Sequence, residues 1–284
     1  MSTQRTLILG SVAYDPKVVT IWEGFRTYFQ RAGFPFDYVL FSNYERQVDW
    51  LLAGHIDVAW NSPLAWLQAL HQARGAASRV WPLVMRDTDC DNWSVIVVRA
   101  GSGITSVAGL KGRTVAMGAH DSPQARLLPE GDRLAAGLQA GRDYTLLPFN
   151  VLQGLHGDHV GGERDAARAL ATGVADAACM HEGNYRAFIG EGLLAPMSTE
   201  VLVQVGPYDH CTMTAGPAAP GPQAEEFAQR LLSMSYNDPD LRTLFDLEGL
   251  KKWVAPRTQG YRPLAAAVSA LGLLPDMGSL FPQP

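Results

Sequence analysis

The sequence predicts an α/β fold in which parallel strands alternate with covering helices. Over roughly the first hundred residues, short apolar runs alternate with segments whose apolar residues recur at helical spacing. Glycines such as Gly33 and Gly54 follow these helical segments and are typical helix ends. Hydrophobic residues make up 47% and charged residues 18% of the 284 residues, which excludes a disordered chain. Strands and helices in this alternation form a parallel sheet covered by helices.

The first predicted unit contains three strands and three helices. The strands cover residues 6–10, 37–41 and 56–60, and two of the helices cover 18–32 and 44–53. The third helix is predicted to begin at Ser62, because serine is a good N-cap and Pro63 fits the first helical position.

A second unit is predicted to begin near residue 93. Its strands include 94–99, 144–149 and 175–180, and its helices include one that begins at Ser122-Pro123 and one over 163–171. The strand 201–205 is predicted to return the chain to the first unit, where 223–235 and 261–271 form helices. The predicted boundaries are therefore 1–92 with 206–284 for the first lobe and 93–205 for the second, joined by two crossings.

Charge and cysteine content exclude several classes of protein. The net charge is −5 and Lys and Arg are scattered, which argues against a nucleic-acid partner. No apolar run approaches the roughly 18 to 20 residues of a membrane span. The chain has three cysteines, Cys90, Cys179 and Cys211, and a small, odd number of cysteines does not form a disulfide framework. The sequence as given opens without a signal peptide, so we expect a cytoplasmic protein, or a periplasmic one if a leader has been removed.

Several segments resemble one family of transport proteins. Residues 51–63, Leu-Leu-Ala-Gly-His-Ile-Asp-Val-Ala-Trp-Asn-Ser-Pro, resemble the helix, glycine and strand that precede a ligand-contacting turn in the phosphate/phosphonate-type solute-binding proteins of ABC transporters. Residues 95–104, 107–116 and 163–178 resemble the family's interdomain strand, its Asp-Leu-Lys-Gly-Lys signature and a helix and strand of its second domain. The resemblance implies a two-lobed periplasmic-binding-protein type II fold, with two mixed sheets flanked by helices, two hinge crossings and a small-molecule ligand in the interlobe cleft. It also implies an ABC permease as partner if the protein is exported.

One turn departs from the family pattern. The family carries a Ser/Thr-rich phosphonate turn where this chain has His120-Asp121-Ser122-Pro123-Gln124. The carboxylate of Asp121 would repel a dianionic phosphonate. The sequence therefore predicts a polar or anionic solute and disfavours a phosphonate.

Candidate ligand-binding residues follow the predicted strand ends, because open parallel sheets bind ligands beyond the carboxyl ends of their strands. The two Ser-Pro helix starts could hold an anion through free amides and the helix dipole, or the serines could serve only as caps. The resemblance places Trp93 as a ligand-stacking aromatic, whereas Trp60 and Trp66 are expected in the core. The full candidate set is Tyr14, Asp15, Asn61, Ser62, Trp93, Ser122, Gln124 and His210.

A second set of residues could carry a metal or catalysis. Histidines and one carboxylate at predicted strand ends supply ligand types that Zn or Fe sites use, without the fixed spacing of a metal motif. The set is His120, His156, His159, His181 and Glu182. Each histidine could equally be a loop residue with an ordinary hydrogen bond.

Two main functions remain open, and a third, a cytoplasmic ligand sensor that docks to another protein, would require an exposed apolar patch. Binding of a small molecule in the interlobe cleft is the main prediction. The alternative is a cytoplasmic enzyme on the same fold, a metal-assisted lyase or hydrolase, with His120, His181 and Glu182 as catalytic residues. Two further expectations concern single segments: Asp87, Asp89 and Asp91 are expected in a solvated loop, and Cys179 is expected to face the sheet interior.

Overall fold

Two mixed β-sheets, each flanked by helices, account for most of the chain in a computed structural model that describes residues 5–74, 79–150, 159–277 and 281. Contacts divide the chain into a first unit, Met1–Cys90 with Asp209–Gln259, and a second unit, Asp91–Tyr208 with Gly260–Pro284. The predicted α/β class with two mixed sheets is confirmed.

The elements alternate much as the sequence predicts. The first stretch of the chain contains β1 (Leu7–Val12), α1 (Lys17–Arg31), β2 (Phe36–Phe41), α2 (Tyr44–Leu52), β3 (Val58–Asn61), α3 (Pro63–Gln72) and β4 (Trp81–Arg86). It is followed by β5 (Asn92–Arg99), β6 (Thr114–Met117), α4 (Leu128–Ala135), β7 (Thr145–Pro148), α5 (His159–Ala171), β8 (Ala177–His181), α6 (Glu182–Gly190) and β9 (Thr199–Tyr208). The remainder contains β10 (Thr212–Ala215), α7 (Gly221–Ser233), α8 (Pro239–Glu248), β11 (Trp253–Val254) and α9 (Arg262–Ala270).

The first unit contains a six-stranded sheet in the order β11-β4-β10-β3-β1-β2. β1 pairs in parallel with β2 and β3, while β10 runs antiparallel to both β3 and β4. The carboxyl ends of β1, β3 and β4 therefore lie at the same edge as the amino end of β10. We call this the first edge, and it carries Tyr14, Asn61, Arg86 and His210.

The second unit contains a five-stranded sheet in the order β7-β6-β8-β5-β9. β6 is parallel to β7 and β8, and β5 is antiparallel to β8 and β9. The carboxyl ends of β6 and β8 thus lie beside the amino end of β5. We call this the second edge, and it carries Asn92, Ser122 and His181. In parallel sheets such edges collect ligand-binding side chains.

Helical periodicity in α1 explains how the first sheet is covered. Val18, Ile21, Trp22, Phe25 and Phe29 are all buried on one face, as their spacing predicts. α1 also packs closely on α8, since a Cβ added to Gly24 would lie 2.2 Å from a Leu244 methyl carbon. None of the helices in the described ranges combines the length and apolarity needed to cross a bilayer.

The C-terminal helix lies in a different unit from the one predicted for it. α9 packs on α4 of the second unit, where a Cβ added to Gly131 would meet the Ala267 methyl at 2.7 Å. The division by contacts accordingly places 260–284 in the second unit, whereas the sequence placed 206–284 in the first lobe. The chain then passes between the units a third time, near residue 259. An amphipathic helix shows that it needs a partner but does not show which sheet supplies it.

Candidate functional site

The helix start at the first edge has the cap that the sequence predicts. Ser62 Oγ accepts a hydrogen bond from the Ala65 amide at 3.2 Å, and Pro63 occupies the first helical turn. Ser62 is 4% exposed and Asn61, the last residue of β3, is fully buried. Both candidate residues are therefore held rigidly where β3 runs into α3.

A glutamine on α2 fixes the orientation of the Asn61 amide. Gln47 Nε2 donates to the Trp60 carbonyl at 3.0 Å and to Asn61 Oδ1 at 2.8 Å. A carbonyl oxygen accepts hydrogen bonds and cannot pair with another oxygen, so the side-chain nitrogen of Gln47 must face the Trp60 carbonyl. The Asn61 atom that accepts from the same nitrogen must then be its oxygen. Asn61 Nδ2 consequently points away from Gln47, and no partner is found for it among the described residues.

A buried arginine joins three elements of the first edge. Arg86 donates from Nε and an Nη to the two oxygens of Asp89, both at 2.7 Å, and from its other Nη to the Glu248 carbonyl at 2.6 Å. Asp89 also accepts from the Cys211 amide at 3.1 Å. The Asp89 carboxylate therefore connects the end of β4 to the start of β10, and Arg86 connects both to the end of α8 through Glu248. The expectation of a solvated Asp87–Asp91 loop is wrong for Asp89, which is 1% exposed.

The pKa values of the acidic groups in this cluster are set mainly by burial and by the positive charge of Arg86. Burial alone would raise the pKa of Asp89, but attraction and hydrogen bonds from Arg86 outweigh it and lower the pKa to about 2. Glu248 shares the same guanidinium at a longer 3.3 Å, and burial keeps its pKa raised. Tyr14 is 42% exposed, and partial desolvation of its hydroxyl together with the charge of Glu248 raises its pKa, so the hydroxyl remains protonated.

The first edge also brings together three potential metal ligands. Ligand atoms of Asp89, His210 and Cys211 lie within 4.8 Å of one another. Both oxygens of Asp89 already bind Arg86, and burial raises the pKa of the Cys211 thiol well above its ordinary value. A guanidinium in contact with the carboxylate and a protonated thiol both oppose cation binding, so these residues do not fit a metal centre. His210 remains a candidate for contacting the solute. Its backbone amide donates a hydrogen bond to the Asp89 carbonyl oxygen at 2.7 Å.

At the second edge, Ser122 caps a helix start that is followed by a proline, as Ser62 does at the first edge. Ser122 Oγ accepts from the Ala125 amide at 3.1 Å, and the chain continues through a π-helical turn, Pro123–Leu127, into α4. Gln124 is 5% exposed, and both ends of its amide are engaged, with Nε2 donating to Glu163 at 2.9 Å and Oε1 accepting from Tyr208 at 3.4 Å. Gln124 thus holds neighbouring groups in place.

The organising group of this edge is Glu163, a fully buried carboxylate on α5. Besides Gln124, it accepts from the His181 amide and from Asn184 Nδ2, both at 2.8 Å. These bonds tie the turn after β6, α5 and the start of α6 to one side chain. Sequence reasoning missed Glu163, Arg86, Asp89 and Glu248. For Glu163 a signal exists, since it falls on the same helical face as Ala166, Ala167 and Leu170, all buried.

The candidate catalytic residues make structural hydrogen bonds. His181 accepts from the Gly183 amide through Nδ1 at 3.0 Å as the N-cap of α6, and its Nε2 lies 2.8 Å from Asn92 Oδ1. Glu182 accepts from Arg186 at 2.7 Å and from Gln204 at 3.1 Å. Both ring nitrogens of His181 and the carboxylate of Glu182 thus have protein partners.

The remaining candidates are dispersed or lie outside the description. His120 is exposed, and its backbone amide donates to Asn150 at 2.9 Å. Trp93 is half-buried at the amino end of β5. Asp15 is exposed and accepts from the Lys17 amide at 2.8 Å. His156 and the His159 side chain lie outside the described residues, so the predicted metal set of His120, His156, His159, His181 and Glu182 stays a prediction.

Fold and sequence together define the class of this protein. Two mixed sheets flanked by helices, with polar side chains at their carboxyl edges, are the architecture of type II periplasmic binding proteins. A family model described as ABC transporter, phosphonate, periplasmic substrate-binding protein matches residues 11–261. The chain belongs to this family of small-molecule binding proteins, as the sequence resemblance predicts.

Solved structures share the fold at low sequence identity. PhnD1 from Prochlorococcus marinus, in complex with methylphosphonate, is 16% identical with a TM-score of 0.69, over 94% of this chain and 98% of its own. The Xanthomonas citri protein XAC2383, bound to ATP, is 14% identical with a TM-score of 0.72, over 96% and 99%. The aliphatic sulphonate-binding protein SsuA from Escherichia coli is 19% identical with a TM-score of 0.53, over 98% and 89%.

A curated relative gives only a local match. An uncharacterized protein of Haemophilus influenzae is 47% identical over 34 residues, which is 12% of this chain. The chain spans about half the length of that relative, since the match covers 48% of it.

Proposed function

We propose that this protein binds a small polar solute reversibly and delivers it to an ABC permease from the periplasm. The observation that carries the proposal is the family match over residues 11–261, which includes every strand except the first four residues of β1 and includes both edges. Solute contacts are assigned to Tyr14, Asn61 and Ser62 in the first unit and to Trp93 and Ser122 in the second. Methylphosphonate, ATP and sulphonates are what the neighbours bind.

The second edge argues against a phosphonate dianion as the solute. The turn that the family uses for phosphonate carries Asp121, which is 4% exposed and immediately precedes Ser122. A carboxylate at this depth repels a doubly charged group much more strongly than one in bulk water would. The proposed solute therefore has at most one negative charge near this turn.

Binding is tested by thermal shift and calorimetry with a defined panel of solutes. The panel contains acetate, benzoate, glutarate, methylphosphonate, inorganic phosphate and choline. Each bound solute is recovered, and its molecular mass is determined by mass spectrometry. We expect at least one member to bind and to be recovered unchanged. Recovery of a converted solute would establish the enzyme alternative in place of the binding function.

A tryptophan pair gives a matched control for the site. Trp93→Leu should weaken binding about fivefold or more, since a stacked aromatic contributes on the order of 1 kcal/mol beyond its buried area. Trp50→Leu serves as control, because Trp50 packs on Phe41 with ring centroids 5.3 Å apart and is not among the residues assigned to the solute. Equal affinities for the two variants would remove Trp93 from the site.

A further inference from the structure

A groove with a volume of about 600 Å³ lies between α1 and α8, both of which belong to the first unit. Cavities of about 300–1,000 Å³ are typical of small-molecule sites. The polar side chains that line it come from one stripe of α1 and from the first turns of α8: Thr20, Thr27, Tyr28, Arg31, Asp240 and Thr243. The groove therefore has the size and the polar lining of a binding site.

The charged end of this groove lies far from the first edge. α1 begins at Lys17, shortly after the carboxyl end of β1, and its 15 residues place Arg31 about 20 Å along the helix from that edge. α8 runs the other way, since the carbonyl of its last residue, Glu248, accepts from Arg86 at the first edge. The end of α1 thus lies beside the start of α8, away from the residues assigned to the solute.

Opposite charges line the two sides of the groove. Arg31 is in the last turn of α1 and Asp240 in the first turn of α8, and each charge complements the dipole of its own helix. Among the described residues no ion pair joins their side chains, so their charged atoms lie more than 4 Å apart. The other acidic residues of the lining have local roles: Glu23 pairs with Arg26 at 2.7 Å, and Asp238 caps α8 by accepting from the Asp240 amide at 3.0 Å.

The floor of the groove is apolar. Gly24 has no side chain, and α8 lies so close to it that an added Cβ would collide with Leu244. Leu244 and the ring of Tyr28 are half-buried and pack against the core of the first unit. An apolar group lying on this floor would be shielded from water, which favours its binding.

Only one class of small molecule satisfies both charges at once. A simple cation would be attracted by Asp240 and repelled by Arg31, and a simple anion would meet the reverse. A zwitterion with a carboxylate and an ammonium group can form a charge-assisted hydrogen bond with each side chain. The apolar floor then favours a zwitterion that also carries an apolar side chain.

We infer that the groove between α1 and α8 is a second ligand site that binds an amino acid with an apolar side chain, its carboxylate on Arg31 and its ammonium group on Asp240. The site goes beyond the proposed solute binding, because none of the residues assigned to the solute lines it.

Calorimetry with free L-phenylalanine tests the inference in two neutral variants, Arg31→Gln and Asp240→Asn. Each should weaken phenylalanine binding at least about fivefold, because a charge-assisted hydrogen bond is replaced by a neutral one. Arg46→Gln and Asp49→Asn are the matched controls, since these residues carry the same charges on α2, are equally exposed, and do not line the groove. Both controls should bind phenylalanine as the wild type does.

A variant that fills the groove and two singly signed ligands complete the test. Thr243→Trp, at an exposed position of the lining, should abolish phenylalanine binding, and its melting curve shows whether it is folded. Putrescine, a dication, and glutarate, a dianion, should bind more weakly than phenylalanine at this site. No phenylalanine binding by the wild type, equal binding by the wild type and both neutral variants, or tighter binding of putrescine or glutarate that Thr243→Trp abolishes would each overturn the inference. None of these results bears on solute binding at the two edges.

Discussion

Replacing Asp89 by asparagine should destabilise the first unit by about 3 kcal/mol at neutral pH. Asparagine offers one acceptor oxygen in place of two, and its NH₂ group would face donors of Arg86 now 2.7 Å away. Removal of one member of a buried ion pair costs about 3–5 kcal/mol. The remaining contact of Arg86 with Glu248, at 3.3 Å, keeps the cost near the lower limit.

The same carboxylate predicts how stability depends on pH. Its pKa is about 2 in the folded protein against 3.8 ordinarily, a depression of nearly 2 units. At about 1.4 kcal/mol per unit, ionised Asp89 contributes about 2 kcal/mol of stability above pH 4. That contribution is lost as the pH falls through 4 towards 2, because the unfolded state then binds the proton more readily.

Urea unfolding of wild type and Asp89→Asn at pH 7, 5, 4 and 3 measures both effects. The difference in free energy of unfolding between wild type and Asp89→Asn should be largest at pH 7 and should become smaller in acid. Asp246→Asn is the control, since Asp246 pairs with Lys251 at the surface, with both side chains more than half exposed, and should cost less than about 1 kcal/mol. Equal free energies of unfolding for Asp89→Asn and Asp246→Asn at pH 7 would refute the assignment of Asp89 as the buried link between Arg86 of β4 and the start of β10.

Three further substitutions or treatments have defined outcomes. Glu163→Gln should lower the melting temperature and weaken solute binding together, because an amide NH₂ would face a donor on one side; wild-type melting and affinity would contradict this. Gly216→Ala should destabilise the protein by about 1–3 kcal/mol, since the new Cβ would lie 2.8 Å from the Leu51 carbonyl oxygen. Gly221→Ala is the control and should leave the free energy of unfolding unchanged in the same urea assay, because the new Cβ would have no atom within 4 Å. Cys179 should react with a thiol reagent only after unfolding, because burial excludes the reagent and raises the pKa of the thiol; rapid modification in the native state would contradict its interior position.

Local chemistry was predictable where the determinants are adjacent in sequence. The Ser-Pro helix starts, the apolar face of α1 and the burial of Trp60 and Trp66 follow from caps and from helical and strand periodicity, and the structure confirms them. These features depend on interactions within a few residues, which a single sequence displays directly.

Features that depend on distant pairing could not be predicted in the same way. Asp89 in an acidic stretch reads as a solvated residue, and only its pairing with Arg86 and the start of β10 shows why it is buried. His181 at a strand end is typical of a reactive residue, yet its two ring nitrogens have protein partners. The orientation of Asn61 likewise depends on Gln47, fourteen residues away in the chain.

Reversible binding of a small polar solute, without chemical change, is the central proposal for this protein. Calorimetric titration of the wild-type chain with the carboxylate, phosphonate and choline panel, followed by recovery of the solute, tests this most directly. The prediction is saturable binding of at least one panel member that is recovered chemically intact. Binding of no panel member, or recovery of a converted solute, would contradict it.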